Sequence, residues 1–570
     1  MKNIREFILK SHGYDIRELR ANDYILIIFS LIVICLLLIN LLCYGYGRDQ
    51  AIFSTVARTM INGGAPYQDA WDFKTPGVYF IYALEYAMFG AGEFYLRVFE
   101  LFSVLIMFYG FLTLSKRIFN TPWAAVFPCL VAAINYIVPG FWHTAQPESF
   151  AATALTWAIV FSTYERKENT TNERKKQFLS WLMAAALYSV SALLKPPLGG
   201  GIITSFIIIV YLQYRACSQT ESLIKILLPV IAAFMIGGLL PVLLTLSYLF
   251  MTDSFDEFYY LMFVYLPHYT TLNLSKYSLV DMFISTNYIW LLRYSRLHLL
   301  GLVLMFVLPR MSNRERIYTL HVVGAIMFGI IGIALQAKLF RYHYAATITL
   351  SGLLSGWGLW KLWVFVRGVQ WSSFYMISVF IFLGLLPSGP SGIYSKWKAV
   401  AYRLENLIIE PKTDDMMFHL DSNPNSLKHR KISRWNLNSK ANHLVSEWII
   451  KNIPQQSTIF VWGFEPSIYL YSNHALASRY IYNVAQRTPW SKADARTELM
   501  ADLVKNSPAV VVVQEGDIFK SVTGDFQDSR MALDDFPELK DWLTVNYHSA
   551  TKIENLEILV RKTLNTISSN

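Results

Sequence analysis

The 570-residue chain is 54% hydrophobic and only 16% charged, with a mean hydropathy of +0.33 and a net charge of +10. That is too apolar for a soluble protein of this length. The positive balance fits Lys and Arg in loops on one side of a membrane, and no basic patch interleaved with aromatics calls for a nucleic-acid partner. The four cysteines, Cys35, Cys43, Cys129 and Cys217, lie in or beside apolar runs without metal-ligand spacing, which argues against disulfides and zinc.

The first apolar run starts near Tyr24 and is long enough to span a membrane, so it does not read as a cleavable signal. About eleven spans follow from hydropathy, near 23–44, 95–115, 121–140, 149–165, 178–194, 199–214, 224–250, 288–308, 318–335, 345–366 and 371–388. Between the first two lies "GRDQAIFSTVARTMINGGAPYQDAWDFKTPG". Ile52, Phe53, Val56, Ala57, Met60 and Ile61 make a helical stripe that Gly63 and Gly64 stop. A second short apolar helix is expected from Pro76 to Phe89. Both are too short to span and are expected to rest in the membrane interface.

Loop charge sets the orientation. "ERKENTTNERKKQ" (Glu165–Gln177), "PRMSNRER" (Pro309–Arg316), "SKR" (Ser115–Arg117), Lys361 and Arg367 all fall on the side of the N-terminus, which is therefore expected to be cytoplasmic. The opposite side has few charges, but they sit tight against span ends. Asp49 follows the first span, Glu148 opens the fourth, Lys195 closes the fifth in "KPPLGG", and Arg341 precedes the tenth in "FRYHYA". Ionisable groups at a membrane boundary are costly unless paired or working. Two carboxylates and several cations at one level would suit an anionic lipid headgroup. The aromatic run "YYLMFVYLPHY" (Tyr259–Tyr269) reads as a lid or as a membrane-surface segment.

After about Gly389 the chain turns polar. "STIFVWG" and "PAVVVVQEG" read as buried strands, and Lys440–Ile453 and Lys492–Asn506 as amphipathic helices, so the tail is expected to be a soluble α/β domain. The expected organisation is a membrane domain over 1–389, a linker over 390–435 and an outer α/β domain over 436–570. Within the tail, Glu465 is expected to pack its own domain.

The order of these motifs resembles the GT-C glycosyltransferases. The similarity is to family 39 and the aminoarabinose-transferase-like set, which are related to protein mannosyltransferases. It rests on the acid after the first span, the amphipathic helix, "GGAPYQD", Lys74 before Pro76, "PES" at Pro147–Ser149, "LLKPPLGG", "FRYHYA" and the tail's "IFVWGFEPSIYLYSN". One position departs from the pattern. Many relatives carry two adjacent acids in the first loop, and here Gln50 follows Asp49, so a carboxylate pair or a bound metal there lacks its second acid.

The resemblance implies a polytopic helical membrane enzyme of the cell envelope, set in the inner (plasma) membrane with its tail outside. It implies a polyprenyl-phosphate sugar as donor, a lipid, glycan or protein as acceptor, membrane lipids as surroundings and an inverting transfer. It calls for no definite cofactor and leaves room for a divalent metal. Asp49 is the implied general base and Glu148 a second catalytic acid. Lys195, Lys74, Arg341, His343 and Arg58 are the candidate substrate-binding groups, with Arg58, like Arg48, read more readily as a headgroup or structural contact. Plainer readings stand beside these. Asp49 would serve as a helix cap, Glu148 as a first-turn acid, Lys195 as a snorkelling cation, and Arg341 and His343 as part of an aromatic belt. A transporter or flippase for a lipid-linked glycan is the alternative function.

Overall fold

The computed structural model describes residues 19–385 apart from 141–142, 167, 216–222, 275–276, 293–294 and 309–310, then 397, 400–401, 403–405 and 439–563. The expected linker at 390–435 lies almost wholly outside the described residues. The chain forms two compact units. One comprises Met1–Cys43, Arg97–Leu244 and Leu279–Pro411; the other comprises Tyr44–Leu96, Thr245–Ser278 and Lys412–Asn570.

Among the described residues, six helices are long and apolar enough to cross a membrane: Ala21–Leu41, Glu93–Phe119, Thr171–Leu194, Pro196–Arg215, Leu227–Met251 and Asn313–Gln336. The single span expected at 288–308 is instead a pair, Leu279–Leu291 and Arg296–Val307, bent by 102°. The second helix of the pair starts afresh because Ser295 caps it, its Oγ accepting from the His298 N–H at 3.3 Å. The other expected spans are also helical, at Val126–Ile137, Pro147–Ser162, Ala345–Val366 and Ser372–Leu385. The chain is a multi-pass helical membrane protein.

In the first unit the helix Ala345–Val366 is the packing centre, and Trp357, Trp360 and Trp363 on it are fully buried. It lies against Arg296–Val307 and Val126–Ile137. Small residues allow this closeness, as expected where apolar surface alone gives helices no reason to associate. A Cβ at Gly356 would come within 2.0 Å of the Pro128 nitrogen, and one at Gly358 within 2.0 Å of the Gly301 carbonyl.

One end of this unit holds the basic segments together. Arg314 pairs with Glu165 at 2.6 Å and donates to the Arg117 carbonyl at 3.1 Å. Lys361 pairs with Glu315 at 2.6 Å, and Arg367 with Asp23 at 2.8 Å. The loops that were expected to share a side do meet. Glu148 stands at the start of the helix Pro147–Ser162, and the Thr163 carbonyl just past its end is reached by Arg117. Fifteen steps along the chain, from 148 to 163, at about 1.5 Å each therefore separate Glu148 from the basic end.

In the second unit a five-stranded sheet comprises β1 (Thr458–Trp462), β2 (Ala475–Leu476), β3 (Val510–Gln514), β4 (Tyr547–Ile553) and β5 (Leu556–Arg561), in the order β2-β1-β3-β5-β4. β1 pairs parallel to β2 and β3, while β5 pairs antiparallel to β3 and β4. The helix Arg48–Ile61 packs against Gly77–Phe89 and Ser467–Ser472 of the same unit. It is buried on every face from Gln50 to Arg58, along its polar side as well as its apolar stripe. The segment Phe255–Leu274 is helical, and Tyr265 and Tyr269 are buried against Trp71 and Phe73.

Candidate active site

The first unit brings together three of the expected residues' neighbourhoods. Pro147 and Glu148 open a helix, and Ser149 supplies the local capping, accepting from the Gln146 N–H at 2.8 Å. Glu148 is thus released from any capping duty. Its carboxylate is 1% exposed and takes an ion pair from Lys195 through Oε1. Its Oε2 is buried with no hydrogen-bond partner among the described residues. Lys195 ends the helix Thr171–Leu194, and its ammonium also lies 5.8 Å from the centre of the Tyr342 ring.

Rigid surroundings hold this cluster. After Lys195 the chain makes the short 3-10 turn Pro196–Gly200, wedged against Asn313–Gln336. The approach is so tight that a Cβ at Gly332 would sit 2.0 Å from the Pro197 Cβ. The run into Glu148 is braced by a buried network. Glu100 accepts from Arg97 at 2.9 Å, from the Tyr136 hydroxyl and from the Ala145 N–H, and Arg97 also donates to Thr144 at 2.9 Å. Ala145 has a φ of 49° and Leu339 one of 48°, so left-handed backbone stands both before Glu148 and before the Arg341–Tyr344 turn. Such conformations persist only where surrounding structure enforces them. In that turn Arg341 is exposed, while His343 is buried edge-on to Tyr342, with ring centres 4.7 Å apart.

The second unit carries the remaining candidates. The helix Arg48–Ile61 is capped by Gly47, so Asp49 is not its cap; it is the second residue of the first turn and is only half-buried. A carboxylate there is favoured by the helix dipole. Arg48 beside it is 6% exposed and gives two hydrogen bonds to Glu465 Oε1, from Nε at 3.2 Å and Nη2 at 2.8 Å. Arg58 is buried and donates to the carbonyls of Tyr469 at 2.7 Å and His474 at 3.1 Å. Its guanidinium is directed at main chain, which fits a structural role better than a ligand contact. Lys74 is half-exposed, and its carbonyl accepts from Tyr67 at 2.9 Å.

Two carboxylates of this unit escaped the sequence reading of the site. Asp72 is buried between the hydroxyls of Tyr79 at 2.8 Å and Tyr482 at 2.6 Å. Burial pushes its carboxyl above the ordinary range, while Lys74 and the two hydroxyls pull it back. Glu93 accepts from the Tyr46 N–H at 2.6 Å and from the Tyr471 hydroxyl. Glu465 was noticed, but its pairing was not; the only signal was its place just past a strand of apolar residues. Among the described residues no group of three or more His, Cys, Asp or Glu is arranged to hold a metal ion.

No protein-family model matches the sequence. Over 221 residues, 37% of this chain, it is 28% identical to an uncharacterized protein of Aquifex aeolicus (strain VF5), and the matched stretch is 42% of that protein's length. The structure is similar to ArnT from Cupriavidus metallidurans bound to undecaprenyl phosphate. That match has a TM-score of 0.53 and 12% identity, and covers 95% of this chain and 98% of the other. The apo state of the same protein matches at a TM-score of 0.53 and 12% identity, over 93% and 97%. The fold is that of the GT-C glycosyltransferases.

Proposed function

We propose that the chain is an integral-membrane glycosyltransferase that moves a sugar from a polyprenyl-phosphate carrier to an acceptor on the outer face of the membrane. The observation that carries this reading is the likeness, over nearly the whole chain, to a transferase bound to undecaprenyl phosphate. Asp49 is the general base. It takes the proton of the acceptor hydroxyl as that oxygen attacks the anomeric carbon. The bond from that carbon to the carrier's phosphate oxygen breaks, and the electron pair leaves with the phosphate. Attack opposite the leaving group inverts the anomeric centre.

Lys195 meets the charge that grows on the leaving phosphate. Its pairing with Glu148 reassigns that acid. Glu148 orients the ammonium through one oxygen and keeps the other for a hydroxyl of the substrate. Lys74, Arg341 and His343 are secondary contacts to donor or acceptor. The N-terminus is cytoplasmic and the α/β domain lies outside, in the orientation that the basic loops require.

Purified protein in sealed vesicles separates this reading from transport. With polyprenyl-phosphate sugars and a crude membrane acceptor, a transferase releases polyprenyl phosphate. A transporter moves the intact donor across the bilayer and releases none, which would overturn the proposal.

A further inference from the structure

We infer that Glu465 is a positioning residue for the reaction, clamping Arg48 and so fixing the start of the helix that presents Asp49. This rests on the reading of Asp49 as the base. The N-cap of the helix Arg48–Ile61 is Gly47, which has no side chain to cap the first turn. Something else must fix its first residues. Arg48 is the first residue of the helix and Asp49 the second, so whatever holds the Arg48 side chain also limits where the Asp49 backbone can go.

The clamp is built for geometry. Both Arg48 bonds converge on Glu465 Oε1, which also accepts from Gln514 at 3.0 Å. The other oxygen of Glu465 accepts from Asn442 at 2.7 Å. The Arg48 guanidinium stands 4.9 Å from the centre of the Phe519 ring. Side-chain exposure is 6% for Arg48 and 3% for Glu465. An ion pair this deep is a poor way to add stability, since well-packed apolar residues of similar volume often do as well or better. What it adds is a fixed geometry, with both Glu465 oxygens also held by the side-chain amides of Asn442 and Gln514.

The place of the clamp points the same way. Glu465 follows the C-terminal end of β1, and Gln514 ends β3, its parallel neighbour. The carboxyl ends of parallel strands are where open α/β sheets usually receive a ligand. Here that edge receives Arg48. Just upstream the grip is repeated, with Glu93 holding the Tyr46 N–H while it is itself held by the Tyr471 hydroxyl. The tail's sheet domain is therefore a template for the loop that carries the base.

The test uses the full chain in lipid nanodiscs, with the native cysteines replaced and a nitroxide label on Asp49→Cys. The label is expected to be strongly ordered. Glu465→Gln and Arg48→Lys should each loosen it, and the exchange Arg48→Glu with Glu465→Arg should restore its order. Arg48→Lys keeps the charge and guards against a fold lost in Glu465→Gln. An unchanged line shape in both single variants would overturn the inference, whatever Asp49 does. In parallel, on undecaprenyl-phosphate sugars with Asp49 intact, Glu465→Gln should lower kcat about ten- to a hundredfold and leave KM within about twofold. An unchanged kcat, where Asp49→Asn abolishes turnover, would also overturn it. Full turnover by Asp49→Asn would remove the underlying reading and leave the line-shape result standing.

Discussion

Asp49 and Glu148 occupy the same kind of place, the second residue in the first turn of a helix, and their surroundings differ in one decisive respect. Glu148 is 1% exposed and carries its counter-charge directly, in Lys195. Asp49 is half-buried, and the cation next to it, Arg48, is committed to Glu465. A buried carboxylate bonded to an ammonium serves to hold that ammonium in place. The helix dipole is common to both and does not separate them; burial does, with Lys195 bonded to the buried acid.

Removing each charge separately should break the comparison most visibly. Asp49→Asn is expected to lower turnover by about 10² to 10⁴, with thermal stability in detergent changed by no more than about 1 kcal/mol. Lys195→Ala should instead cost about 3–5 kcal/mol of stability, because it strands a buried carboxylate, and should raise KM for the donor. Pairing Glu148→Gln with Lys195→Met should recover most of that stability and none of the donor affinity. Thermal unfolding and donor titration on the same samples measure both effects. Arg58→Ala, which leaves the Tyr469 and His474 carbonyls without their donor, should cost about 2 kcal/mol and leave donor KM unchanged. Last, Arg314→Ala, at the exposed pair with Glu165 on the basic end, should change stability by less than about 1 kcal/mol and activity not at all.

Most of the helices could be read from hydropathy, because a bilayer demands long apolar runs and short loops reveal their side by charge. The bend within 288–308 was missed because the apolar stretches on either side were joined into one span, although Arg293, Ser295 and Arg296 interrupt them. In the tail, β1 and β3 stood out as unbroken apolar runs. β4 and β5 did not, because β4 is mostly exposed and its register shifts between Ser549 and Thr551. The candidate acids and Lys195 were legible because ionisable groups at span ends are conspicuous. Their partners were not. Lys195 finds Glu148 across 47 positions and Arg48 finds Glu465 across 417, and no local pattern encodes such pairings. For the same reason the cover on the polar face of the helix after Asp49 was not legible, because it comes from residues far along the chain.

The most direct measurement of the central claim is the time course of undecaprenyl phosphate release from a panel of undecaprenyl-phosphate sugars. Wild type and Asp49→Asn would be compared at matched folding and in the presence of membrane acceptors. Release by wild type, lost in Asp49→Asn while donor still binds, is the predicted result. Equal release by both proteins would contradict the assignment of Asp49 as the base.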